Sequence, residues 1–168
     1  PMVDAESGSY YPVIQQGAGL ANVNSAIQAG SYITVAGQPD GKAKVELGDD
    51  PAKEGVYTAT FTIHNFTDEA QSYALSADVF TQDVFDNTFS DGSVESFLAG
   101  WTVELADAVV SWSSDEVTVP ANGSCEVTAT IDVSGCDLTD YPVGAYIEAY
   151  LYAEEVTEDD GTVGTVHS

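Results

Sequence analysis

A chain of 168 residues, 43% of them hydrophobic, is long enough to close one sizeable core. Its 28 acidic residues face three lysines, Lys42, Lys44 and Lys53, and no arginine, giving a formal net charge of −25. That balance excludes nucleic acid and anionic membrane surfaces as partners, since both need a basic face, and the six Phe, nine Tyr and two Trp supply too much apolar surface for a disordered chain. No stretch of about 18 apolar residues is present to span a membrane, and the first residues lack the regions of a signal peptide. With Pro1 at the start, the chain is expected to be a piece of a longer polypeptide.

From the N-terminus, the first element is a short amphipathic helix within Gln15–Ala29, where Leu20, Val23 and Ile27 fall at helical spacing and Gly30 follows as a stop. After Ser31 the period changes from 3.6 to 2. Strands are predicted at Tyr32–Val35, Ala43–Leu47, Val56–Phe66, Gln71–Phe80, Ala108–Trp112, Glu116–Val119, Ser124–Val133, Ala145–Ala153 and Thr162–Val166. Short strands separated by turn signals predict an all-β antiparallel sandwich.

Alternation is clearest in two of these strands. Tyr57, Ala59, Phe61 and Ile63 oppose a row of Thr and His64, and Val127, Ala129, Ile131 and Val133 oppose Glu126, Thr128, Thr130 and Asp132. Between Thr81 and Gly100 no period is evident, so the segment reads as a long ordered loop pinned by Phe85, Phe89 and Phe97. Turns are expected at Asn65–Asp68, at Pro120–Gly123 and at Asp159-Asp160-Gly161. The triplets Asn65-Phe66-Thr67 and Asn122-Gly123-Ser124 match a glycosylation pattern but read as turn chemistry. Cys125 and Cys136 flank a predicted strand that would hold them roughly 25 Å apart, too far for a disulfide.

Little in the sequence carries chemistry. His64 lies on the polar face of a strand and His167 is one residue from the last, so no zinc cluster can be drawn. The acidic run Glu154–Asp160 offers oxygen ligands for calcium, but reads first as a solvated hairpin tip. The Asp49-Asp50 pair before Pro51 carries still less weight as a ligand pair. No cofactor is implied. In the strand at 145–153, Tyr146, Glu148, Tyr150 and Tyr152 share one face and Ala145, Ile147, Ala149 and Leu151 the other. With the Tyr face outside, it is an aromatic patch for docking a domain or stacking on sugars. With it inside, Glu148 is a buried acid that must find hydrogen-bond donors or stay protonated. Both faces could also be covered, as in a central strand beneath another domain.

The run Gln15-Gln16-Gly17-Ala18-Gly19-Leu20-Ala21-Asn22-Val23 resembles the start of the closing helix of a subtilisin-type catalytic domain in cell-envelope proteinases of the lactocepin type. The rest of the chain resembles the fibronectin type III-like domain that succeeds it there, through Gly41–Leu47, Phe61–Asn65, Tyr73–Val79, Val117–Ser124 and Tyr141–Glu148. The resemblance implies a fibronectin type III-like, immunoglobulin-like antiparallel β-sandwich, with residues 1–31 a one-helix remnant of the catalytic domain and 32–168 the sandwich. It also implies a last strand cut short, because in the family that strand runs on past the point matching His167. The Asp, His and Ser motifs of such proteases are absent here, so no catalytic residue carries over.

The function expected from this resemblance is that of a non-catalytic accessory domain of a secreted or cell-wall-associated bacterial endopeptidase. It would brace and space the catalytic domain and aid substrate positioning. Its partners would be that catalytic domain and neighbouring fibronectin-like domains, with no nucleic acid, no membrane insertion and a monomeric state. Tyr146, Glu148, Tyr150 and Tyr152, together with Leu20, Val23 and Ile27, are the candidate interface residues. The rival reading is an extracellular module that binds carbohydrate or protein through an exposed aromatic face.

Overall fold

A computed structural model of the protein describes residues 1–38, 42–141, 146–156 and 163–167. Two short helices, α1 (Val13–Gln16) and α2 (Val23–Gln28), precede the strands β1 (Ser31–Val35), β2 (Val56–Asn65), β3 (Gln71–Thr88), β4 (Val94–Glu104), β5 (Val109–Trp112), β6 (Glu116–Val119), β7 (Ser124–Asp132), β8 (Ile147–Val156) and β9 (Val163–His167). The strands lie in one sheet ordered β1-β2-β7-β5 and a second ordered β4-β3-β8-β9 with β6 also on β3, and the pairs β1/β2, β2/β7, β5/β7, β3/β4, β3/β6 and β8/β9 are antiparallel. The fold class is the all-β sandwich that the alternation predicts.

The chain forms two compact units, which share the strands β3 and β8. The larger unit comprises Asn22–Ala77, Val109–Ser134 and Leu151–Ser168. Its core is built by the period-2 rows read from the sequence: Phe61, Ile63 and Val127 of one sheet lie against Tyr73, Val117, Val119 and Ala153 of the other. Trp112 stands edge-on to Phe61 at 6.4 Å between ring centroids. Each Val, Ile or Phe among them contributes about 1.5–3 kcal/mol through burial. The β2/β7 register sets Phe61 opposite Val127 and Ala59 opposite Ala129, so the apolar rows of the two strands share one face.

Asn65 closes this unit at the end of β2. Buried, it donates through Nδ2 to the carbonyls of Glu69, Val119 and Pro120, and its Oδ1 accepts from the Thr67 N–H and hydroxyl. Both Asn triplets are thus turn chemistry, Asn122 lying at φ 49° with its amide on Asp68. His64 shares a hydrogen bond with the Thr34 hydroxyl and stacks on Tyr32 at 4.6 Å. No disulfide joins Cys125, in β7, to Cys136, in the segment after it.

The smaller unit comprises Pro1–Ala21, Asp78–Ala108 and Gly135–Tyr150. Here the structure corrects the sequence reading most. The expected loop at 81–100 is instead the body of a hairpin: β3 runs eight residues past Phe80 to Thr88 and pairs with β4, Phe85 opposite Phe97. A register shift between Gln82 and Val84 breaks the period-2 pattern, and beyond it both faces are exposed, which is why alternation was absent. Phe85, Phe89 and Phe97 are exposed and do not pin the segment into a core.

The helix expected within Gln15–Ala29 is two pieces, because Gly17 and Gly19 adopt φ of 59° and 102° and end the first turn. A Cβ at Gly19 would meet Pro1 Cα at 2.7 Å, so glycine is the residue that fits. No strand forms at Ala43–Leu47, where only Val45 is half-buried and no apolar row drives pairing. The turn at 159–161, Ala145, Thr162, Gly41 and 142–145 of the resembling runs, and most of the acidic run after Val156 lie outside the described residues.

Candidate functional site

The smaller unit organises the N-terminal segment before it holds it. Asp4 Oδ1 accepts from the Glu6 and Ser7 N–H groups and the Ser7 hydroxyl, shaping a turn that returns the chain to pair Val3 with Tyr10. Those bonds, led by the Ser7 backbone, hold the Asp4 carboxyl below its ordinary pKa. Gln16 then ties the ends of the segment together, donating through Nε2 to the Tyr11 carbonyl at 2.6 Å and the Met2 carbonyl at 3.1 Å and accepting from the Met2 N–H.

Four residues of the hairpin and of β8 grip this segment. The helix α1 begins after Pro12, which has no side chain able to cap it, so its first N–H groups need partners from elsewhere. Glu148 of β8 supplies them: Oε2 accepts from Val13 N at 3.1 Å and Oε1 from Ile14 N at 3.2 Å. Two residues on, the Tyr150 hydroxyl donates to the Gly17 carbonyl at 2.7 Å, where the helix ends. Thr102 of β4 donates its N–H and its hydroxyl to the Tyr10 carbonyl, and the Tyr10 hydroxyl donates to Asp78 at 2.7 Å.

The rings of Tyr10, Phe80 and Tyr150 pack mutually with centroids 5.3–5.5 Å apart. Burial first, then the Glu148 carboxylate and Tyr10, push the Tyr150 phenol up to about 12. Glu148 is 9% exposed and Tyr150 5%. The arrangement is a clamp made of hydrogen bonds and aromatic packing, with no nucleophile and base paired in it.

Of the residues singled out from the sequence, Glu148 and Tyr150 come together in this clamp, whereas Tyr146 is exposed and Tyr152 half-buried. Among the readings left open at β8, the buried acid that finds donors is the observed one. The aliphatic parity takes over further along, where Leu151 and Ala153 pack in the core of the larger unit. Leu20, Val23 and Ile27 are exposed, and α2 buries no residue. Among the described residues no group of three or more His, Cys, Asp or Glu could hold a metal, and no helix is long and apolar enough to cross a membrane.

A family model described as an Fn3-like domain matches residues 45–163. The chain belongs to the Fn3-like domain family. Its curated relatives include a protein named C5a peptidase from Streptococcus pyogenes, 26% identical over 163 residues, covering 95% of this chain and 12% of the relative. A second C5a peptidase, from S. pyogenes serotype M1, is 29% identical over 133 residues, covering 79% of this chain and 10% of the relative. This Fn3-like chain therefore spans about a tenth of the length of the relatives it matches.

Sequence reasoning missed Tyr10, Asp78, Phe80 and Thr102 in the clamp of this Fn3-like chain. Their partners lie far off in sequence, and the one available signal was the continuous apolar run Val79-Phe80 extending the alternation of β3.

Proposed function

We propose that this chain is a non-catalytic accessory domain of a secreted or cell-wall-associated subtilisin-like serine endopeptidase. In this reading residues 1–31 are the end of the catalytic domain, and the clamp at Glu148 and Tyr150 braces the segment that leads out of it. The observation that carries the reading is the Glu148 carboxylate on Val13 N and Ile14 N, because it spends a buried acid on holding a segment that resembles the end of a protease domain. The peptidase names of the relatives support the same parent class. The partners are then the catalytic domain and neighbouring fibronectin-like domains of one polypeptide. A contribution to substrate positioning belongs to the same reading.

The test is made on the longer polypeptide that contains this chain. It should cleave casein in a manner blocked by a serine-directed inhibitor, the 168-residue chain alone should not, and Glu148→Ala in the long form should lower the temperature at which activity is lost. A long form without inhibitor-sensitive activity would reject the endopeptidase parent, and unchanged inactivation with Glu148→Ala would reject the bracing role.

A further inference from the structure

The smaller unit leaves one aromatic face uncovered, at the hairpin of β3 and β4. Phe85 and Phe97 are cross-strand partners with rings stacked at 5.8 Å, and Trp101, on β4 within the register shift, donates its indole N–H to Asp83 at 2.8 Å. Phe85 is 48% exposed, Phe97 40% and Trp101 39%. Three large exposed rings on one strand pair exceed the scattered apolar residues that any surface carries.

Charge decides what suits this face. Asp83 accepts from the Trp101 indole, Glu95 lies opposite Asn87 in the register, and Asp86 and Asp91 lie on the same hairpin. The segments that form this unit contain no Lys or Arg. A second copy of a chain with net charge −25 is repelled, and an acidic partner equally so. A cation over an aromatic ring is attracted by the ring's negative face, and a carboxylate beside the ring pairs with the same cation. We propose that the hairpin face of Phe85, Phe97 and Trp101, together with Asp83 and Glu95, is a docking surface for a basic segment of another polypeptide, whose Arg or Lys side chains lie on the rings and pair with the two carboxylates. The cross-strand Phe pair stiffens the hairpin and so forms the platform before the ligand arrives. The surface is separate from the clamp and does not depend on the chain being joined to a peptidase.

The experiment titrates the 168-residue chain with an amidated peptide of alternating Arg and Ser, at physiological ionic strength, by calorimetry and by Trp fluorescence in a Trp112→Phe background. Binding should weaken about tenfold in Phe85→Ala/Phe97→Ala. It should weaken similarly in Phe85→Leu/Phe97→Leu, which keeps apolar cover on the hairpin and so guards against misfolding as the cause. Asp83→Asn/Glu95→Gln should weaken it about threefold. Asp49→Asn/Glu54→Gln, which remove carboxylates from the other unit, should leave it unchanged. Absence of binding, equal loss from all charge variants with no effect of the Phe variants, or occupation of the face by a neutral oligosaccharide in place of the peptide would each overturn the proposal.

Discussion

The Tyr150 hydroxyl donates to the Gly17 carbonyl across 133 positions of sequence, at 2.7 Å. Removing it in Tyr150→Phe leaves that carbonyl without its donor, which costs about 1–2 kcal/mol. Urea unfolding should show the loss as a lower midpoint at unchanged slope. A midpoint equal to the parent would mean that water replaces the phenol without cost.

The same phenol predicts an alkaline limit. Its folded pKa of about 12 stands above the unfolded value of 10, so the folded state prefers the protonated form. The stability it contributes is complete below the unfolded value and is lost as pH rises toward the folded one. Melting temperature should therefore fall more steeply between these two pH values in the parent than in Tyr150→Phe. Parallel falls would refute the linkage.

Glu148→Ala removes both acceptors from the start of α1. The Val13 and Ile14 N–H groups then lose a charged partner in a part-buried setting, at about 1–3 kcal/mol. Amide exchange at Val13–Gly17 should quicken by at least about tenfold while β2 and β7 keep their protection. Uniform acceleration across all strands would instead make the clamp part of a single global unfolding unit.

Asn65→Ala should be among the most damaging single changes in the larger unit. The substitution strands three carbonyls and the Thr67 N–H and hydroxyl that its side chain now satisfies. A loss of about 2–4 kcal/mol is expected from breaking a buried network of this kind. Asn65→Asp should also destabilise, since a carboxylate cannot donate to the carbonyls of Val119 and Pro120. Wild-type stability in either variant, measured by calorimetry, would contradict this account.

Helix α2 should be the least protected element. It has six residues and buries none, and its one cap is the Asn22 side chain accepting from Ser25 N. A helix this short is marginal in water without packing. Exchange protection at Val23–Gln28 equal to that of β7 would show that something covers Leu20, Val23 and Ile27 in solution.

Local periodicity was enough to determine the sandwich. The rows Ala59-Phe61-Ile63 and Val127-Ala129-Ile131 each have one face to bury, and a period of 2 admits one choice of which face that is. The turns at Asn65 and Asn122 were likewise legible, because their chemistry is local. Three things were decided only by the tertiary structure. At β8 the row of Tyr146, Glu148, Tyr150 and Tyr152 gave no sign of which face is buried, since an aromatic row with an acid in it suits either; the donors at Val13 and Ile14, brought close by folding, settle that Glu148 goes inside. The break at Gly17–Gly19 was hidden by helical spacing that neighbouring positive-φ glycines override. The β3/β4 hairpin was illegible because beyond the register shift the strand pair is exposed on both faces and has no apolar period to read, and its pairing there rests on backbone hydrogen bonds.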